Sequence, residues 1–444
     1  MMILEIQLEN FFSIKDAVIL DFRAAKIRTA GAQALPANVI ACNGKTILKS
    51  IGLFGANASG KSNIFKAINF CRRTILNSHQ YNEGMVFGFS PFKFEGCPGK
   101  PGRFSIDFIH DSIEYEYSFT LTTDEILKES LCYYPNGRQA KVFDRDEQRG
   151  TGKAEIYRFS NGIIPRPLDV ATNTSRKTLF LSRASQMDRE LCKKIYRFFL
   201  QDFFVGFAPL NFAALGAANA KLLFSRNKDL ILHALSICDS DIADINMIQE
   251  KQMLPTSLNP QFPDFPQSEE TIVRFETFHK TAPSIAFDLF MEESAGTTQL
   301  FSMLFFLLDV IKNEKAFMLD EFDLSLHTKL AEFVIDLFHA GSQAQFLFAS
   351  HNTNLIDMKR FRRDQIVFVN KKGDGSTELY SLYDHKDFRE NMDAEKGYLQ
   401  GRFDALPLVD NSFAALKKLL GDWHEKKTCP ETFPKDESCF SCFL

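Results

Sequence analysis

Gly55-Ala-Asn-Ala-Ser-Gly60-Lys61-Ser62 fits the pattern G-x-x-x-x-G-K-[ST], and its reading decides the fold. Ser50-Ile-Gly-Leu-Phe54 before it reads as a short buried strand. Asn63-Ile-Phe-Lys-Ala-Ile-Asn-Phe70 after it sets apolar side chains at helical spacing. Strand, glycine-rich turn and helix, in that order, are the context a phosphate-binding loop requires. Glycine lets backbone N–H groups curl round phosphate oxygens. A helix opening at Gly60 aims unpaired N–H groups at an anion. Lys61 adds a mobile positive charge, and the Ser62 hydroxyl suits magnesium. The expected nucleotide-holding set is Gly55, Asn57, Ser59, Gly60, Lys61, Ser62 and Asn63, with ATP and Mg2+ as cofactors.

The 444 residues suffice for roughly two or three domains' worth of structure around a large core. A net charge of −4 makes the whole surface no magnet for nucleic acid, so any such contact is local or made by a partner. Met1–Leu8 alternates and lacks a basic leader, which argues against a signal peptide. The most apolar run, Leu300–Leu308, stops at Asp309, too short to span a bilayer. Nine scattered Cys without a secretory signal suggest reduced thiols, and the expected location is the cytoplasm, away from membranes. The 46 Phe against one Trp imply a bulky core.

Met2–Leu8 alternates like a half-buried strand, Asn10–Lys15 turns, and Ala17–Phe22 returns. Phe87–Phe94, Arg103–His110 and Ile113–Thr122 read as further strands, and Asp124–Gly152 as strand and turn. Leu179–Phe204 and Lys221–Asp239 become helical. Met253–Glu270, with four Pro, reads as a loop before alternation returns at Thr271–Lys280 and Ser284–Phe290. No sustained heptads appear, hence no long coiled-coil arm. The expected divisions are 1–100, the first half of a nucleotide-binding core; 101–280, a mixed insertion; 281–400, the second half; and 401–444, a tail.

Glu293-Ser294-Ala295-Gly296-Thr297 precedes an apolar helix expected over Thr298–Ile311. Ser294 suits an N-cap and Gly296 a close phosphate approach, although alone this is an ordinary helix start. Ala316-Phe-Met-Leu-Asp320-Glu321 is an apolar strand ending in two acids. Asp320 suits a magnesium ligand, direct or through water, and Glu321 a base for the attacking water. Asp323-Leu-Ser325-Leu-His327 follows. Gln345–Ser350 is another buried strand, one helix later (Thr328–His339), and ends at His351. A parallel neighbour brings His351 to the same carboxyl edge, placed to hydrogen-bond a γ-phosphate and report its loss.

In that order these motifs resemble the ABC-type ATPase head shared by chromosome-maintenance and recombination-nuclease ATPases and the OLD family. More closely, the chain is similar to stand-alone AAA-family ATPases of the RloA type, from bacterial restriction and abortive-infection loci. Leu8-Glu-Asn-Phe-Phe-Ser-Ile-Lys15, Arg362-Arg-Asp-Gln-Ile-Val-Phe-Val369 and Glu395-Lys-Gly-Tyr-Leu-Gln-Gly-Arg402 carry this closer likeness. It implies an α/β, ABC-type P-loop head with a β-rich N-terminal lobe and a mixed α+β insertion. It implies that Ser294 and Gly296 complete the site of another subunit in a homodimer or larger homo-oligomer, with Asp323 and Ser325 at the seam. It also implies anti-phage defence beside a separate TOPRIM-like nuclease effector, as in PARIS-type systems, with a phage protein as trigger. The alternative is a repair or chromosome-maintenance clamp that binds DNA directly.

Other residue groups carry weaker signals. Lys359-Arg-Phe-Arg-Arg363 suits nucleic-acid backbone, but solvated charge is the commoner meaning. His424, Cys429, Cys439 and Cys442 are zinc-compatible residue types at irregular spacing. Asp144, Asp146 and Glu147 sit among arginines, which favours a charged loop over a nuclease cluster. Gln80 is a candidate for a magnesium-touching glutamine.

Overall fold

Alternation at the start of the chain becomes β1 (Met2–Glu9), whose inward residues Met2, Leu4, Ile6 and Leu8 are buried. It pairs antiparallel with β2 (Val18–Asp21) on one side and β6 (Gly102–His110) on the other. β7 (Ile113–Leu121), β8 (Ile126–Tyr134), β9 (Ala140–Asp146) and β10 (Tyr157–Phe159) extend this sheet in the order β10-β9-β8-β7-β6-β1-β2. β3 (Val39–Cys42) and β4 (Lys45–Leu48) form a small hairpin leading to β5 (Ser50–Phe54).

The second large sheet carries the motifs. Its order is β11-β15-β16-β5-β17-β18, from β11 (Phe203–Phe207), β15 (Ala316–Asp320), β16 (Gln345–Ser350), β17 (Ile366–Lys371) and β18 (Thr377–Ser381). All pairings are parallel except β17 with β18. Every residue of β5, β15 and β16 is buried, as expected of parallel strands covered on both faces. A third sheet joins β12 (Ile242–Pro255), β13 (Gln267–His279) and β14 (Ala282–Asp288).

The structure, a computed structural model, describes residues 1–406, apart from 95, 136, 211–216, 239–240, 256–266, 342 and 390–391, together with 412–425. Met1–Leu406 forms one compact unit. Pro407–Leu444 is a second, in which the described element is the helix Phe413–Glu425. Cys429, Cys439 and Cys442 lie outside the described residues, as does the side chain of His424.

Three expectations are corrected. The segment 101–280 is not one insertion: β6–β10 complete the sheet begun by β1, and β11 edges the nucleotide-loop sheet. Phe87–Phe94 is not a strand. Phe87, Phe89 and Phe92 are buried, so the alternation is real, but it belongs to an irregular segment interrupted at Pro91, which has no N–H for a ladder. Strands also reach into the expected Met253–Glu270 loop at both ends.

The phenylalanines form layered cores. Phe346 stacks on Phe338 at 4.4 Å and on Phe317 at 5.9 Å, beneath the parallel sheet. Each fully buried ring contributes about 1.5–3 kcal/mol of transfer free energy. The Gln345 amide ties the two large sheets together. It accepts from Ile3 N (2.6 Å) and donates to Ile3 O (3.0 Å) and Leu48 O (3.2 Å). The helix Ala295–Lys312 is apolar and long enough to cross a membrane by composition alone, yet here Phe301, Leu304, Phe305 and Leu307 are buried in a protein core.

Candidate active site

The phosphate-loop pattern folds as its residues dictate. β5 ends at Phe54, the loop turns, and the helix Lys61–Asn77 begins, burying Ile64, Ile68, Cys71 and Ile75 along one stripe. Gly60 has φ +110°, and a Cβ there would collide with Thr377 Oγ1. A Cβ on Gly55 would collide with Val369 O. Both positions therefore exclude any side chain.

A cavity of about 620 Å3 opens over this loop. Asn57, Ser59, Gly60, Lys61, Ser62 and Asn63 line it, with Glu321 and His351 opposite. The remaining wall comes from Phe12 and Ser13, from Ser90–Phe94, and from Lys371 and Gly375. The second group was not read as site residues: Phe12 and Ser13 lie in the Leu8–Lys15 motif, which carries no phosphate-binding pattern, and nothing in the sequence around the others marks them.

Lys61 is 4% exposed and folds back on its loop, donating to Gly55 O (2.6 Å) and Ala56 O (3.0 Å). Burial lowers its pKa to about 8, while Asp320 and Glu321 pull it upward. Asp320 is 5% exposed at the carboxyl end of β15. Burial raises its pKa and Glu321 adds to this; the Ser62 hydroxyl bonded to it and the Lys61 charge oppose the rise. Each partner of the Lys61–Asp320 pair is thus pushed toward its neutral form, because desolvation outweighs their attraction. Asp320 Oδ1 and Ser59 Oγ are buried without a hydrogen-bond partner. Such orphans are costly and mark where a further group would bind.

Glu321 has φ +51°, an uncommon conformation for a non-glycine residue, worth about 1 kcal/mol of strain or more. This turn leaves Asp320 inside while Glu321 lines the cavity. β16 lies parallel between β15 and β5, so His351 emerges at the same edge. Burial and the Lys61 charge lower its pKa, against the pull of Glu321.

Other sequence candidates fall elsewhere. Ser294 caps the helix Ala295–Lys312, its Oγ accepting from Thr297 N at 3.1 Å. Glu293, just before it, is held by Thr277 Oγ1 and by His279 Nε2 (2.9 Å), which fastens the segment to β13. Neither Ser294 nor Gly296 lines the loop cavity. A Cβ on Gly296 would sit 3.1 Å from Ser325 O, so the Ser-x-Gly and Asp323–Ser325 segments are neighbours. Asp323 accepts from Ser350 Oγ at 2.7 Å, outside the cavity. Gln80 also lies outside it, 3.3 Å from His79 Nε2.

The basic run is engaged internally. Arg360 pairs with Asp336 and Glu332, Arg362 with Asp364, and Arg363 donates to Phe388 O. Asp144 and Asp146 belong to strand β9 and pair with Lys141, Arg149 and Lys128. Among the described residues no cluster of His, Cys, Asp and Glu could hold a metal by itself.

The architecture is α/β: a phosphate-loop strand and the two other motif-bearing strands share one largely parallel sheet, with a β-rich N-terminal lobe and mixed α+β material between the two motif-bearing halves. Solved structures similar to the chain include three SMC head domains. That from Pyrococcus yayanosii, with a coiled coil and joint, is 14% identical over 90% of this chain and 99% of that one, at a TM-score of 0.41. That from Pyrococcus furiosus, with an extended coiled coil and bound to the C-terminal domain of ScpA, is 15% identical over 85% and 96%, at 0.39. That from Thermotoga maritima is 12% identical over 86% and 99%, at 0.37. No curated protein matches the sequence. The family profile described as "AAA domain, putative AbiEii toxin, Type IV TA system" matches residues 50–357, from the start of β5 past His351, and the chain belongs to that family of AAA ATPase domains.

Proposed function

We propose that this chain binds ATP with magnesium over the phosphate loop and hydrolyses it, and that nucleotide state controls assembly with a second protein. The observation that carries the reading is the orphaned, buried Asp320 Oδ1 beside Ser62 and Lys61, which line the loop cavity. Ser62 and Asp320 would hold the metal, which when bound supplies positive charge to the β- and γ-phosphate oxygens. Lys61 exchanges its loop carbonyls for phosphate oxygens. Backbone N–H groups at the start of the Lys61–Asn77 helix cradle the phosphates. Glu321 orients the attacking water and takes its proton. His351, kept neutral by its lowered pKa, donates one N–H to the γ-phosphate. The exposed rings of Phe12 (40%) and Phe94 (61%) offer stacking faces for the base.

Ser294 and Gly296, with Asp323 nearby, serve the nucleotide of a second copy, making a homodimer or larger homo-oligomer. That none of the three lines the chain's own cavity supports this. The partner in the proposal is a separate nuclease effector, and the role is a sensor or scaffold in bacterial anti-phage defence, triggered by a phage protein. The toxin-system description of the family supports that context. Internal pairing of Arg360, Arg362 and Arg363 favours a protein partner over direct DNA binding.

Phosphate release is the first test. Glu321→Gln is expected to lower turnover by about a hundred-fold or more with ATP still bound; equal turnover in variant and parent removes Glu321 as the base. Purification beside the neighbouring gene product is expected to bring down a nuclease. ATP-dependent binding to bare DNA with no protein partner would instead favour the clamp.

A further inference from the structure

We propose that Ser13 and Thr377 are positioning residues of the phosphate loop, linked in a one-way chain of hydrogen bonds that fixes its backbone before any nucleotide arrives. The inference rests on the ATPase reading for its kinetic consequence, and on geometry alone for its structural one.

Asn63 Nδ2 donates to Ser13 Oγ at 2.8 Å. Ser13 Oγ and Thr377 Oγ1 are 2.7 Å apart, and Thr377 Oγ1 donates to Ser59 O at 3.0 Å. An amide can only donate at one end and a carbonyl only accept at the other, so the two hydroxyls must both point the same way. Thr377 N also donates to Ser13 O at 2.7 Å. The chain thus starts and ends on the loop and its helix, crossing two segments that sequence keeps far apart. Thr377 is 4% exposed, and its hydroxyl fills the space that Gly60 leaves by lacking a Cβ.

This gives the Asn10–Lys15 motif a physical task. Asn10 Oδ1 accepts from Phe92 N (3.0 Å) and its Nδ2 donates to Lys100 O (2.8 Å), which holds the segment carrying the Ser90–Phe94 wall. Phe12 sits at φ +50° with its N–H on Ser90 O (2.7 Å). Lys15 pairs with Asp374 at 2.9 Å on the β17–β18 hairpin that also presents Thr377. One short turn therefore clasps three walls of the cavity. A loop released from this clasp spends part of its time in shapes that cannot cradle phosphates, and apparent affinity falls by that fraction.

The test compares full-length Thr377→Val, which keeps the shape and removes the hydroxyl, with Thr377→Ser. In Thr377→Val, KM for ATP and Kd for inorganic triphosphate are expected to rise about ten-fold, with kcat within about two-fold. Thr377→Ser is expected to restore both to within about two-fold of the parent. Amide hydrogen exchange over residues 55–63 of the nucleotide-free chain is expected to quicken about ten-fold in Thr377→Val. Unchanged exchange overturns the proposal whatever ATP does, as does a KM defect that serine fails to restore. A parent chain that hydrolyses no ATP, but whose loop exchange still responds to Thr377→Val, overturns the ATPase reading and leaves the clasp standing.

Discussion

The phosphate loop and the Glu293–Thr297 segment are both short polar stretches that open a helix, yet their polar groups are wired in opposite senses. Around the loop, Ser59 Oγ and Asp320 Oδ1 are buried without partners, and Lys61 rests on carbonyls of its own turn. Around Glu293–Thr297, Ser294 is spent on the helix cap and Glu293 on Thr277 and His279. Two exposed apolar side chains lie close by in sequence instead: Met291 is 85% exposed, and Leu324, next to Asp323, is 42% exposed. Buried valences left open ask for a small polar ligand within the chain. A satisfied cap leaves no such valence, and in the proposed assembly it would instead meet the nucleotide of a second copy.

The sharpest way to break this contrast is Lys61→Ala. It is expected to weaken ATP binding by at least about a hundred-fold, read by calorimetry. Unchanged affinity would mean that the open valences serve some other ligand. Ser294→Arg probes the opposite pole. ATP affinity of the single chain should stay within about two-fold, while turnover and ATP-dependent self-association, read by light scattering, fall about ten-fold or more. Full turnover in that variant would reduce the segment to an ordinary helix start.

The smallest expected effect is on pH. Bound phosphates favour the charged form of Lys61, whose pKa in the free chain is about 8. ATP affinity therefore falls a few-fold as pH is raised through that value, and binding near it takes up a proton, measurable in buffers of different ionisation heat. Nucleotide-free stability runs the other way. The folded pKa lies below the ordinary 10.5, so the unfolded chain holds the extra proton and stability rises with pH across that interval. Thermal melts with and without ATP separate the two signs.

Local chemistry made half of this site legible. Glycines, lysine and serine at fixed spacing, followed by helical periodicity, lead to β5, the loop and its helix; two apolar runs ending in acids and in histidine lead to β15 and β16. The parallel arrangement that brings Glu321 and His351 to one cavity follows from the intervening helix. Thr377 and Phe94 were hidden for the opposite reason. Each is an ordinary residue in its own stretch and gains meaning only when β18, the β1–β2 turn and an irregular segment converge; Ser13 lay in a marked motif, but its place at the cavity shows only in the fold. Phe87–Phe94 misled because periodicity reports which side chains are inside, whereas a strand also needs a ladder partner.

The interleaving of β5 between β16 and β17 carries a cost in time. The central strand of the parallel sheet leaves the ribosome early, but both of its neighbours are made some three hundred residues later, a span like the 297 positions between Leu48 and Gln345. Until then a strand that is buried along its whole length in the folded sheet must wait without its flanks. Synthesis of this protein is therefore expected to lean on chaperones, and a chain cut short before β16 should be degraded or insoluble rather than half-active.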